Sequence, residues 1–134
     1  MHDYLFVYGT LRPSLARGES AQLIERLRYV GPATVPGQLY DLGPYAGAIV
    51  DQSSTNTIKG DLFELPNDDS VLEALDDYED IDRADPQNSL FIRIRVIASM
   101  TDGRPLNSWI YVYNRDPGNA PLIAGGDFSK SGVA

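Results

Sequence analysis

Two neighbouring runs of alternating polarity constrain this chain more than any other feature of it. Across residues 90–98, Leu90, Ile92, Ile94 and Val96 fall on one side and Phe91, Arg93 and Arg95 on the other. Across 108–114, Trp109, Tyr111 and Tyr113 share one face and Ile110 and Val112 the other. A period of two puts successive side chains on opposite faces of a sheet, which a helix does not do. Thr101-Asp102-Gly103 lies between the runs and has the composition of a turn. The two runs are therefore predicted to form an antiparallel hairpin.

The other segments are read in the same way. Tyr4-Leu5-Phe6-Val7-Tyr8 is a short buried strand that stops at Gly9. Leu23, Ile24, Leu27 and Val30 have helical spacing and predict a helix over 20–30, ended by Gly31-Pro32. Strand-like pieces follow at 34–42, 47–50 and 57–65, separated by Pro, Gly and Ser/Thr/Asn clusters. Pro66-Asn67-Asp68-Asp69 opens a second helix of about 12 residues, with Asn67 or Asp68 as its N-cap. The sum is an α+β chain of about six strands, mostly antiparallel, with two inserted helices. There is no internal repeat or linker, so residues 1–134 are read as one domain, with a loosely packed tail after about Asp127.

What the chain lacks limits its chemistry. It has no cysteine, which excludes disulfides, thiolate metal sites and a cysteine nucleophile. Its single histidine is His2, so neither a Ser-His-Asp triad nor a histidine metal cluster is expected. No metal and no cofactor are expected, and any catalysis must use carboxylates, tyrosine hydroxyls and backbone groups. A net charge of −8 argues against binding nucleic acid or an anionic membrane. No apolar run reaches the roughly 20 residues of a membrane span. Met1-His2-Asp3 leads straight into a strand, with no basic segment and no cleavable apolar stretch, so a cytoplasmic location is expected.

The second helix carries five acidic residues between 73 and 80. With Leu72 set at 0° and about 100° per residue, Leu75 falls near 300°, Val71 near 260° and Tyr78 near 240°. Glu73, Asp76, Asp77 and Asp80 fall between roughly 40° and 140°, opposite or flanking that arc. Glu79 falls near 340°, between the two leucines. On this reading only Glu79 points inward. A carboxylate facing a core costs several kcal/mol unless it is paired or neutralised. Glu79 therefore either bends out to water or pairs with Arg93 or Arg95, or it serves as a general acid/base.

Tyr8-Gly9-Thr10-Leu11-Arg12-Pro13 follows the first strand directly. Gly9 allows a sharp turn and a close approach by a ligand. Successive N–H groups in such a turn can hold a carboxylate or an oxyanion, although the same pattern also serves as a plain connector. It is neither a phosphate loop nor a dinucleotide fingerprint.

Taken together, these segments resemble the γ-glutamylcyclotransferase-like family. Phe6-Val7-Tyr8-Gly9-Thr10-Leu11-Arg12 resembles its strand-and-loop signature. Val35-Pro36-Gly37-Gln38-Leu39-Tyr40-Asp41-Leu42-Gly43 and Lys59-Gly60-Asp61-Leu62-Phe63-Glu64-Leu65 are similar to its second and third blocks. Leu75-Asp76-Asp77-Tyr78-Glu79 matches the block whose glutamate is the family's catalytic residue, and Trp109–Tyr113 with Gly126-Asp127-Phe128 resembles its last strand and tail. Two positions depart from the pattern: Ala46 follows Tyr45 where the family has proline, and Phe91 stands where it has tyrosine.

The resemblance implies a small mixed, mostly antiparallel β-barrel with flanking helices. It implies release of 5-oxoproline from a γ-glutamyl amine or amide, with Glu79 as acid/base and Tyr8, Gly9, Thr10 and Leu11 as the substrate cradle. The loop amides would hold either the α-carboxylate or the γ-carbonyl oxygen. Two alternatives stand beside it: a non-catalytic small-ligand module on the same barrel, and a two-carboxylate hydrolase using Glu79 with Asp76 or Asp82.

Overall fold

The predicted hairpin forms. In the computed structural model, which describes residues 3–8, 27–42, 46–66, 70–78, 89 and 91–123, β5 (Phe91–Met100) pairs antiparallel with β6 (Pro105–Tyr113). The turn between them is pinned by the Gly103 N–H donating to the Met100 carbonyl at 2.9 Å. Asp102 caps it by accepting the Arg104 backbone N–H at 3.0 Å and the Arg104 Nε–H at 2.8 Å. The backbone bond from Arg104 does most to hold the Asp102 carboxyl below the usual carboxylate range, and the Arg104 guanidinium adds to it.

The remaining strands are β1 (Tyr4–Val7), β2 (Arg28–Asp41), β3 (Ala46–Val50) and β4 (Thr57–Glu64). They join the hairpin in the order β3-β2-β4-β1-β6-β5. A further pairing of β2 with β5, at Ala33↔Met100 and Thr34↔Ser99, closes the sheet. The result is a five-stranded barrel with β3 added along the far half of β2, as the resemblance implies. Among the described strands one ladder is parallel, that of β1 with β6, and the others are antiparallel. Residues 121–123 lie beside the same half of β2, with the Ile123 N–H donating to the Leu39 carbonyl at 2.7 Å.

The sequence reading of a helix over 20–30 is corrected at its end. Residues 28–30 belong to β2, and Gly31-Pro32 continues that strand instead of ending a helix. Leu27 and Val30 are three apart, a spacing that a strand bent by an irregularity also produces. The β2–β4 register shifts between Tyr29 and Gly31. Residues 9–26 are outside the described residues.

β1 is apolar throughout because both of its faces are covered. Phe6 and Tyr8 point into the barrel with Val35, Leu39, Ile58 and Ile110. Leu5 and Val7 point outward and pack with Phe63, Leu65, Tyr111 and helix α1 (Ser70–Tyr78). Val71 and Leu75 supply the apolar contact from α1, each worth roughly 2 kcal/mol of burial. At Gly60 the wall of β4 comes so close to β1 that a Cβ would collide with the Val7 carbonyl and lie 2.7 Å from the Phe6 ring. Among the described residues no helix is long and apolar enough to cross a membrane.

Candidate active site

Tyr8, the first residue of the predicted cradle, directly follows β1. Tyr8 is buried, and its hydroxyl donates to the Tyr111 carbonyl at 2.5 Å and accepts the Ala48 N–H at 3.4 Å. One phenol thus joins the end of β1 to β6 and to the middle of β3. Asp61, the register partner of Val7, is also buried and accepts the Tyr29 hydroxyl at 2.9 Å.

On the outer wall, α1 meets β5 and β6 through a carboxylate. Asp76 is 6 % exposed. Arg93 grips it with two bonds, Nε to Oδ1 at 2.8 Å and a terminal nitrogen to Oδ2 at 3.1 Å. The Tyr111 hydroxyl donates to Oδ1 at 2.7 Å. Arg93 and Tyr111 are register partners across the hairpin, so the two donors arrive side by side. Each polar group gains a charge-assisted bond that offsets the cost of its burial.

The ring of Trp109 supports this arrangement. The Arg93 guanidinium carbon lies 4.2 Å from the ring centroid and that of Arg95 3.9 Å. Cation–π contacts of this kind are worth about 0.5–2 kcal/mol each. Among the described residues Trp109 Nε1 has no hydrogen-bond partner and is buried, a loss of about 1–3 kcal/mol that the stacking offsets. Arg95 in turn pairs with Asp3 at 3.0 Å.

These contacts correct the helical-wheel reading. The wheel puts Asp76 outside the apolar arc, yet it faces the barrel as Leu75 does. The wheel ranked positions by apolarity, whereas the wall beneath α1 offers a guanidinium and a phenol at that point. The two arginines proposed as partners for Glu79 have carboxylates of their own, Asp76 for Arg93 and Asp3 for Arg95. The hydrolase reading loses support in its Asp76 form, because a carboxylate already holding three donors is poorly placed to act as nucleophile or base.

Of the predicted site residues, Tyr8 is described, and Gly9, Thr10, Leu11 and Glu79 lie outside the described residues, as do Asp82 and Gly126–Phe128. Phe91 is buried, with its ring centroid 5.7 Å from that of Tyr113. Among the described residues no group of three or more His, Cys, Asp or Glu side chains could hold a metal. An open pocket lined by Gly37, Gln38, Asn56, Lys59 and Leu122, among others, shares no residue with the Asp76 cluster.

Residues 5–130 match the family model described as "Gamma-glutamyl cyclotransferase, AIG2-like". A comparison with curated proteins finds no match. Among solved structures, the chain is similar to YkqA from Bacillus subtilis, with 21% identity and a TM-score of 0.70 over 97% of this chain. It spans only 40% of that longer protein. It is similar to ytfP from Escherichia coli, with 26% identity, a TM-score of 0.63, and coverage of 95% of this chain and 96% of that one. It is also similar to an AIG2-like protein from Mus musculus, with 17% identity, a TM-score of 0.70, and coverage of 90% and 84%.

Proposed function

The chain belongs to the γ-glutamyl cyclotransferase, AIG2-like family, and from that premise we propose that it releases 5-oxoproline from a γ-glutamyl amine or amide. The observation that carries the reading is the span of the family match. It includes both Tyr8-Gly9-Thr10-Leu11 and the Leu75–Glu79 block.

The proposed chemistry needs no enzyme nucleophile. The substrate's α-nitrogen attacks its own γ-carbonyl carbon, forming the lactam C–N bond, and the bond to the leaving nitrogen breaks. The α-ammonium gives up two of its three protons, and the leaving amine departs as an ammonium. Glu79 takes a proton from the attacking nitrogen and delivers one to the leaving nitrogen, while the other exchanges with solvent. The amides of residues 9–11 hold the bent substrate, and ring closure within one molecule supplies much of the rate. A cysteine-free chain suits the reducing cytoplasm, where we place the reaction.

The test is a panel of γ-glutamyl amines, amides and dipeptides assayed for 5-oxoproline. Release from at least one is expected. Binding without release from any would favour the non-catalytic module instead.

The cradle gives a second expectation. Gly9→Val should weaken substrate binding far more than Thr10→Ser, because a β-branched side chain disfavours the turn and blocks the approach to its amides. Thr10→Ser keeps both the amide and the hydroxyl. Titration calorimetry with a γ-glutamyl substrate separates the two, and equal affinities would reduce the loop to a connector.

A further inference from the structure

Tyr111 touches Tyr8 and α1 with different ends of one residue. Its main-chain carbonyl accepts the Tyr8 hydroxyl at 2.5 Å, and its own hydroxyl donates to Asp76 at 2.7 Å. Tyr8 directly precedes Gly9, and Asp76 stands three residues before Glu79. We infer that Asp76, Arg93 and Tyr111 form a positioning device, which locks the last turn of α1 against the barrel, three residues in sequence before the proposed acid/base Glu79. The inference rests on the function proposed above.

Docking the helix does not by itself require this cluster. Val71 and Leu75 already seat α1 on the wall. Apolar packing is non-directional, however, and a helix of nine residues has only about two and a half turns to resist rolling or sliding. A two-point guanidinium pair and a phenol donor meeting one carboxylate fix direction as well as distance. Arg93 is held in turn by the Trp109 ring.

The cluster also sits at the useful end of the helix. Successive Cα atoms are about 3.8 Å apart, so the Glu79 backbone is within ~11 Å of Asp76. The chain enters Glu79 directly from the turn that the cluster holds. Misplacing a reacting group by ~1 Å can cost about 10² in rate. Asp76, Arg93 and Tyr111 are positioning residues here, since none of them is assigned contact with the reacting atoms.

The test compares steady-state 5-oxoproline release by wild type, Tyr111→Phe, Arg93→Lys and Asp102→Asn on the best substrate of the panel. Tyr111→Phe removes one oxygen and keeps both the ring and the carbonyl that binds Tyr8. It is expected to lower kcat about 10- to 100-fold with KM changed less than about twofold. Arg93→Lys keeps the charge but loses the planar two-point grip, and should lower kcat in the same way. Asp102→Asn breaks an exposed pair on the hairpin turn and should leave both constants unchanged.

Normal kcat in Tyr111→Phe, with or without a lower melting temperature, would overturn the inference and leave a purely structural contact. A comparable loss of kcat in Asp102→Asn would overturn it too. If wild type itself released no 5-oxoproline from any substrate, the proposed function would fail first and take the inference with it. That result is distinct from an active wild type matched by Tyr111→Phe.

Discussion

Glu79→Gln is expected to cut 5-oxoproline release by about 10²–10⁴-fold while the protein stays folded. Glutamine has nearly the same shape but cannot accept a proton from the α-amine at neutral pH. On the helical wheel the side chain lies between Leu72 and Leu75, so losing its charge should hold or raise the melting temperature. Binding through the loop amides should survive, and calorimetry should still detect a γ-glutamyl substrate or 5-oxoproline. Asp77→Asn, away from that arc on the wheel, is the matched control and should change little. Near-normal release by Glu79→Gln, with activity abolished in Asp77→Asn, would place the proton transfer elsewhere. An unfolded Glu79→Gln would mean that the carboxylate is needed for an ion pair and not for turnover.

The second large effect concerns stability. Gly60→Ala should cost about 3 kcal/mol or more, because its Cβ would meet the Val7 carbonyl and the Phe6 ring with little freedom on either side. Backbone cannot retreat as a surface side chain can, and Phe6 is almost wholly buried. Gly118→Ala is the informative comparison. There φ is +58° and nothing lies within 4 Å of the added carbon, so only the left-handed penalty of roughly 1–2 kcal/mol applies. Urea midpoints of the two variants measure the difference. A Gly60→Ala protein as stable as Gly118→Ala would mean that the barrel wall has slack at β1.

How far the sequence could be read varied with the kind of signal. The β5–β6 hairpin was legible because strict alternation has no helical imitation and a turn sits at its midpoint. Barrel closure was not visible in periodicity, since Ala33↔Met100 joins strands far apart in the chain; it came only through the family resemblance. Leu27 and Val30 misled because a spacing of three fits a helix as well as a strand bent at Gly31. Asp76 was missed because its partners lie on another element. The signal was nonetheless present. Counting nine residues outward from Asp102 in each direction pairs Arg93 with Tyr111, as the structure does. An arginine and a phenol side by side on a face that must bury a helix call for a carboxylate from that helix. Of the cradle and the acid/base, the described residues include Tyr8, and the assignments of Gly9, Thr10, Leu11 and Glu79 stand on the sequence and the family.

The parallel ladder between β1 and β6 has a consequence for how the molecule is made. β1 is an inner strand of the barrel, yet one of its two neighbours is the last strand of the hairpin. Tyr8 and Tyr111, joined by a hydrogen bond, are 103 residues apart in the chain. On a ribosome the first strand therefore emerges long before the strand that covers one of its edges. Until then Leu5, Phe6 and Val7 can pair on one side only, with β4. Contacts of such long sequence separation close slowly, and an apolar strand with an open edge invites pairing with other chains. The nascent chain thus carries an open β1 edge, and with it a risk of misassembly, until β6 has been synthesised.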